Sequence, residues 1–238
     1  MPKIYLNETD NLEKCESNGF NNFPFFDDLK KEDIAYLCSI AITRKYSKRQ
    51  IIYSPALSTN SIYFCKTGRV KISILSKDGR EKIINLVNPG EIFGETLFLE
   101  NNKRNEIACT LDECEVYEID NNEFREFLDK TNLYLWFTYL IKNKINSYLE
   151  NIEDLSFKDA SQRVAAFLLR YSNNFGKKIG SQTFTKSFLG HLEIAQITAC
   201  SRQTVSSFLE QIRMQGIIHF DRNRLIVNDQ DYLQRLAG

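Results

Sequence analysis

The chain has 238 residues, 42% hydrophobic and 26% charged, the proportions of a soluble globular protein of one or two domains, and no apolar run approaches the ~18–20 residues of a membrane span. The 31 basic and 31 acidic residues cancel, yet residues 156–238 carry 11 Lys and Arg against 6 acids, a net of +5, while residues 1–155 carry 20 against 25, a net of −5. A basic C-terminal third points to a polyanionic partner such as nucleic acid.

Residues 1–22 are polar and partly acidic with no apolar signal core, which predicts a cytoplasmic protein without a membrane partner. Phe23-Pro24-Phe25-Phe26 is an apolar anchor, and Asp28 to Ile42 has helical spacing at Leu29, Ile34, Leu37 and Ile40. From Tyr46 to Ile119 short β-rich runs alternate with turn signals. Val70–Leu75 and Lys82–Val87 flank Lys77-Asp78-Gly79-Arg80, a hairpin signal. Strands about every ten residues predict an antiparallel sandwich or barrel over residues 23–130.

Asp120 is placed to cap a short helix, Asn122 to Leu128, and a longer helix follows over about residues 131–155. Its apolar residues Ile141, Ile145, Tyr148, Ile152 and Leu155 step by 4, 3, 4 and 3, an a/d seam that predicts a homodimer; packing against the chain's own sheet is the other use of such a face. Residues 156–238 form the last predicted unit. Ser161 to Tyr171 reads as helix and Ser172 to Ser181 as a loop.

Ile194 to Phe208 reads as a helix-turn-helix. Small Ala195 suits a close helix crossing, Val205 and Phe208 face inward, and Ser201 is an N-cap. Arg202, Gln203 and Ser206 are left outward at the start of the second helix, where side chains reach base edges in a major groove. Gly216 ends that helix. Ile217–Phe220 and Leu225–Val227 then form a hairpin wing around Asp221-Arg222-Asn223-Arg224, and Asp229 caps a final helix. The predicted partner is duplex DNA, with Ser201, Arg202, Gln203, Thr204, Ser206, Ser207, Arg222 and Arg224 at the interface.

The six cysteines, Cys15, Cys38, Cys65, Cys109, Cys114 and Cys200, form no C-x-x-C pair, and both histidines, His191 and His219, lie in the basic third. No metal site, iron–sulfur cluster or haem is expected, and the cysteines read as buried free thiols. An enzyme is disfavoured, because the chain offers no P-loop, Gly-rich dinucleotide loop, metal triad or Ser/His/Asp order.

Two motifs in this order resemble a known family. Gly90-Glu91-Ile92-Phe93-Gly94-Glu95 resembles an effector-binding cassette, and Cys200-Ser201-Arg202-Gln203-Thr204-Val205-Ser206 a recognition-helix start. With the strands, long helix and wing, residues 23–236 resemble the cyclic-AMP receptor/fumarate-nitrate regulator (CRP/FNR) family of bacterial transcription factors. The resemblance implies an α+β fold: an N-terminal antiparallel β-roll, a long dimerisation helix and a C-terminal winged helix-turn-helix. It implies a homodimer on a near-palindromic operator, with Arg202 reading a guanine, and RNA polymerase as a partner of an activator. Ala199 stands where such motifs usually carry glycine, and Ser207 where many members carry a second arginine.

The resemblance places an effector against Phe93, Gly94, Glu95, Leu97, Arg104, Asn105, Trp136, Tyr139 and Tyr148, with Ile92 and Phe98 beside them. Glu95 suits a ribose hydroxyl. Arg104 meets the family's phosphate-binding arginine only with a gap, Asn105 is bulky, Glu106 sets a negative charge beside a phosphate, and Tyr148-Leu149 replaces the pair that reaches adenine. The reading is a regulator controlled by a small-molecule or redox signal other than cyclic AMP, Cys109 and Cys114 being the thiols available for the latter. A cyclic-nucleotide-responsive activator and a cyclic-nucleotide-binding scaffold without DNA function are the alternatives.

Overall fold

The computed structural model describes residues 23, 29–57, 59–95, 105–186, 188–221 and 224–238. Leu97, Phe98, Arg104 and Arg222 lie outside the described residues. The chain divides into two compact units, one of residues up to Asp78 with Ile84–Asn143, the other of Gly79–Ile83 with Lys144–Gly238.

The first unit begins with α1 (Lys31–Ile40). Among the described residues the strands β1 (Ile42–Tyr46), β2 (Ile51–Tyr53), β3 (Ser61–Thr67), β4 (Val70–Leu75), β5 (Glu81–Val87), β6 (Ile92–Phe93), β7 (Ile107–Thr110) and β8 (Cys114–Asp120) follow. They make two four-stranded sheets, in the orders β1-β8-β3-β6 and β2-β7-β4-β5. Strand β3 explains the layering. Its residues Ser61–Cys65 are all buried, because successive side chains point to opposite faces and both faces are covered. Tyr63 and Cys65 join Tyr53, Val70, Phe93 and Val116 in one core, while Ile62 and Phe64 join Phe124, Phe127 and Phe137 in another. Full burial of Phe64 is worth about 2–3 kcal/mol.

The β3–β4 connection requires a glycine: Gly68 has φ +78°, and a Cβ there would stand 2.3 Å from the Glu113 carbonyl oxygen. Arg69 beside it holds Asp112 in a two-point ion pair, Nε to Oδ2 at 2.6 Å and Nη2 to Oδ1 at 3.1 Å. Helix α2 (Asn121–Thr131) starts where the Asp120 carboxylate accepts from the Asn122 N–H at 2.8 Å. Helix α3 (Tyr134–Phe157) then runs on into the second unit.

In the second unit, α4 (Ala160–Phe175) begins with a capping box between Asp159 and Gln162 and buries Val164, Ala165, Phe167, Leu168 and Tyr171. Next come β9 (Gly176–Ile179), β10 (Gln182–Lys186), α5 (His191–Thr198), α6 (Arg202–Met214), β11 (Ile218–Phe220), β12 (Arg224–Val227) and α7 (Gln230–Ala237). The strands form one sheet in the order β11-β12-β10-β9. This corrects the loop expected over Ser172–Ser181: α4 extends to Phe175, and Gly176–Ile179 pairs with β10. Asp154 on α3 receives Arg170 and Lys158, the latter at 3.0 Å. The hairpin tip Gly79–Ile83 belongs to this unit, where Gln196 Nε2 donates to Glu81 Oε2 at 2.7 Å and Lys82 donates to the Ile197 carbonyl.

Candidate nucleic-acid interface and effector cassette

Helices α5 and α6 are joined by a turn that begins at Ala199, whose φ of 52° lies in the left-handed region. The Cys200 N–H returns to the Ala195 carbonyl at 3.1 Å. Ser201 then caps α6, its hydroxyl accepting from the Thr204 N–H at 3.0 Å. Val205, Phe208, Leu209 and Ile212 bury one face of α6 beside Ile194 and Ala195 of α5. Arg202, Gln203 and Ser207 are exposed on the other face, with Thr204 and Ser206 half-buried. A helix N-terminus carries unpaired N–H groups and the positive end of the helix dipole, so this end suits a phosphate backbone.

The wing stands where the alternating runs predicted it. Beside its turn Asp221 accepts from the Arg224 N–H at 3.1 Å and pairs with Arg224 Nε at 2.7 Å. Arg224 is therefore exposed but already partnered.

Two residues that the sequence reading did not single out organise this surface. Arg163 of α4 donates from Nε to the Thr198 carbonyl at 2.8 Å, from Nη1 to the Lys158 carbonyl at 2.8 Å and from Nη2 to the Ala199 carbonyl at 3.5 Å. It thus satisfies carbonyls that the end of α5 leaves open. His191, the first residue of α5, places Nδ1 2.7 Å from Ser206 Oγ. Burial, and then the charge of Arg202, push its imidazole below the usual histidine range. Neither contact has a signature in local sequence, since the partners lie 35 and 15 positions apart.

At the cassette, β6 delivers Phe93 into the inter-sheet core, followed by Gly94 at φ +84° and half-buried Glu95. Phe93 stacks on Tyr63 at 5.1 Å and on Tyr53 at 6.2 Å between ring centroids. The Tyr53 hydroxyl donates to Glu106 Oε1 at 2.8 Å, and Glu106 is buried. Asn105 is exposed. Phe93 belongs to the inter-sheet core, Ile92 and Trp136 to the core under the helices, Tyr139 is exposed, and Tyr148 is half-buried in the second unit. Positions 136 and 139 are one turn apart on α3, yet Trp136 packs against the core while Tyr139 is exposed.

The long-helix seam also divides. Ile141 packs against the chain's own core, whereas Ile145, Leu149 and Ile152 are 51%, 56% and 58% exposed, with Leu155 and Tyr139 exposed beside them. Leu149, which the heptad spacing does not include, is exposed with them, while Ile141 is partly buried. Cys65, Cys109, Cys114 and Cys200 are free thiols, the first and third buried; Cys38 departs from the expectation, being disulfide-bonded. Burial pushes the Cys65 thiol well up and the Cys114 thiol up to about 11, so both stay protonated and poorly nucleophilic at neutral pH.

Residues 43–131 match the family model of the cyclic nucleotide-binding domain, and residues 162–236 that of the Crp-like helix-turn-helix domain. The chain is 25% identical to a CRP-like cAMP-activated global transcriptional regulator of Mycobacterium tuberculosis, over 81% of this chain and 86% of that one. It is also 25% identical to the anaerobic regulatory protein of Bacillus subtilis, over 89% and 90%. Its fold is similar to that of a CooA mutant from Carboxydothermus hydrogenoformans, with a TM-score of 0.73 and 23% identity over 84% of this chain and 89% of that one. It is similar, too, to a cysteine-to-serine variant of CprK complexed with OCPA, with a TM-score of 0.67 and 19% identity over 84% and 91%.

Proposed function

Because the chain belongs to the CRP/FNR family of DNA-binding transcription regulators, we propose that it is a cytoplasmic homodimer without enzymatic activity that binds a near-palindromic operator under control of a signal other than cyclic AMP. The observation that carries the DNA part is the exposed row of Arg202, Gln203 and Ser207 at the Ser201-capped start of α6. Arg202 suits bidentate contact with guanine, and Gln203 with adenine. The exposed stripe of Ile145, Leu149 and Ile152 is the proposed dimer seam. A dimer presents two recognition helices, which address successive major grooves when about 34 Å apart. An effector acts by favouring the dimers in which they are so aligned. If it activates transcription, RNA polymerase is a further partner.

The observation against a cyclic phosphate is Glu106, a buried carboxylate held by Tyr53 inside the β-roll. A negative charge there opposes a bound phosphate by about 1 kcal/mol or more. The high-lying Cys65 and Cys114 thiols favour a small-molecule signal over oxidation at those positions. Cyclic-AMP control is the second reading, favoured by the match of residues 43–131 to a cyclic nucleotide-binding domain. Titration calorimetry with cyclic AMP separates the two. The proposal expects no saturable heat up to millimolar nucleotide, and micromolar binding that tightens DNA affinity would overturn it.

A further inference from the structure

Ser206 is held from two sides. Its Oγ lies 2.7 Å from His191 Nδ1 and 2.9 Å from the carbonyl oxygen of Arg202, one turn back on α6. A serine hydroxyl has one proton and two lone pairs. If that proton went to His191, a lone pair would face the Arg202 carbonyl at hydrogen-bond distance, two acceptors opposed. The arrangement that satisfies both contacts has His191 donating from Nδ1–H into Ser206 Oγ, and Ser206 donating to the Arg202 carbonyl. One lone pair of Ser206 is then left, and no proton.

The imidazole is kept in place from the wing side. Phe220 of β11 meets it edge to face with ring centroids 5.8 Å apart, and the Arg213 guanidinium lies over the Phe220 ring at 5.6 Å. Ser206 shares the outward stripe of α6 with Arg202, four positions earlier. An outward hydroxyl that only accepts distinguishes bases in the major groove. Adenine N6 and cytosine N4 offer donors there, whereas guanine and thymine offer acceptors and a methyl group.

We propose that His191 is a positioning residue that fixes Ser206 as a hydrogen-bond acceptor, so that Ser206 selects an amino-bearing base, adenine or cytosine, at one position of each half-site. The base selection rests on the DNA-binding reading above; the state of the imidazole does not. It is tested in two stages on the full chain.

The first stage needs no DNA. Nitrogen-15 NMR of the histidine side chains at pH 8 should show His191 protonated at Nδ1, and the Nε2–H tautomer would overturn the proposal. The second stage is selection from random duplexes with the unmodified chain, His191→Phe, His191→Asn and Ser206→Ala. Phe keeps the ring against Phe220 and removes the donor, whereas Asn returns an N–H near the Nδ1 position. The unmodified chain should prefer A or C about tenfold at one half-site position. His191→Phe and Ser206→Ala should each lower that preference below about twofold with the other positions unchanged, and His191→Asn should restore it. An unchanged preference in His191→Phe or Ser206→Ala, or equal loss in the Phe and Asn variants, overturns the inference. Enrichment of no duplex by the unmodified chain, with Nδ1 protonated, would instead sink the DNA-binding reading and the base selection with it.

Discussion

Arg163 Nε donates to the carbonyl of Thr198 at 2.8 Å, tying α4 to the end of α5 where the helix-turn-helix reverses. The guanidinium also reaches the Lys158 and Ala199 carbonyls, so one planar fork serves three backbone acceptors. A lysine, with a single nitrogen on a flexible stem, cannot span them. Arg163→Lys should destabilise the C-terminal unit by about 1–3 kcal/mol, the cost of leaving part-buried carbonyls unpaired. Denaturant unfolding should show a lower midpoint at an unchanged slope, and an unaltered midpoint would remove Arg163 from this role.

Ala199 at φ 52° pays for its Cβ in a conformation that glycine adopts freely. Removing that strain outweighs the extra freedom glycine gives the unfolded chain. Ala199→Gly should therefore stabilise the chain by about 0.5–1 kcal/mol and raise Tm by roughly 2–4 °C. A fall in Tm would mean that the turn is relaxed as it stands.

Ile145 and Ile152 are more than half exposed in the single chain, so a charge at either site leaves the fold of the chain intact while opposing a partner helix. Ile145→Glu and Ile152→Glu should each shift sedimentation from dimer to monomer at micromolar concentration with unchanged circular dichroism. A tight dimer in both would place the interface elsewhere.

Asp154 sets an acid limit on stability. Burial pushes its carboxyl up, but hydrogen bonds from Arg170 and Lys158, with their charges, outweigh that and hold it below the usual carboxylate value. The folded state therefore binds this proton less readily than the unfolded one. The contribution is complete above the ordinary value of 3.8 and is lost as pH falls through the lower folded value. Asp154→Asn should lower stability by about 1–3 kcal/mol at pH 7. The gap from the unmodified chain should close only below about pH 4, and a gap independent of pH would assign its cause to packing.

Where function depends on local patterning, the sequence was readable. Ser201, Val205 and Phe208 announce a capped amphipathic helix, and the runs on either side of Asp221–Arg224 a wing, because each signal lies within a few residues of its consequence. Gly176–Ile179 carries no alternation to read. It becomes a strand because β10, itself paired to the distant β12, offers it an edge. Ile141 fits the heptad as well as Ile145, and spacing alone does not tell which turn of α3 packs against the core that holds Phe124 and Phe127 and which stays exposed. The resemblance groups Trp136 with Tyr139, whereas Trp136 packs against the core and Tyr139 is exposed. The contacts of Arg163 and His191 are tertiary, and the sequence holds no trace of them.

Sequence-specific DNA binding through α6 is tested by selection of random duplex DNA by the purified chain and by Arg202→Ala, with and without cyclic AMP. The unmodified chain should enrich a near-palindrome with a guanine in each half-site, equally with and without the nucleotide. Arg202→Ala should lose about 1–3 kcal/mol on that sequence and relax its preference at the guanine alone. Enrichment of the same palindrome by Arg202→Ala with undiminished affinity, or no enrichment by either protein under any condition, would contradict it.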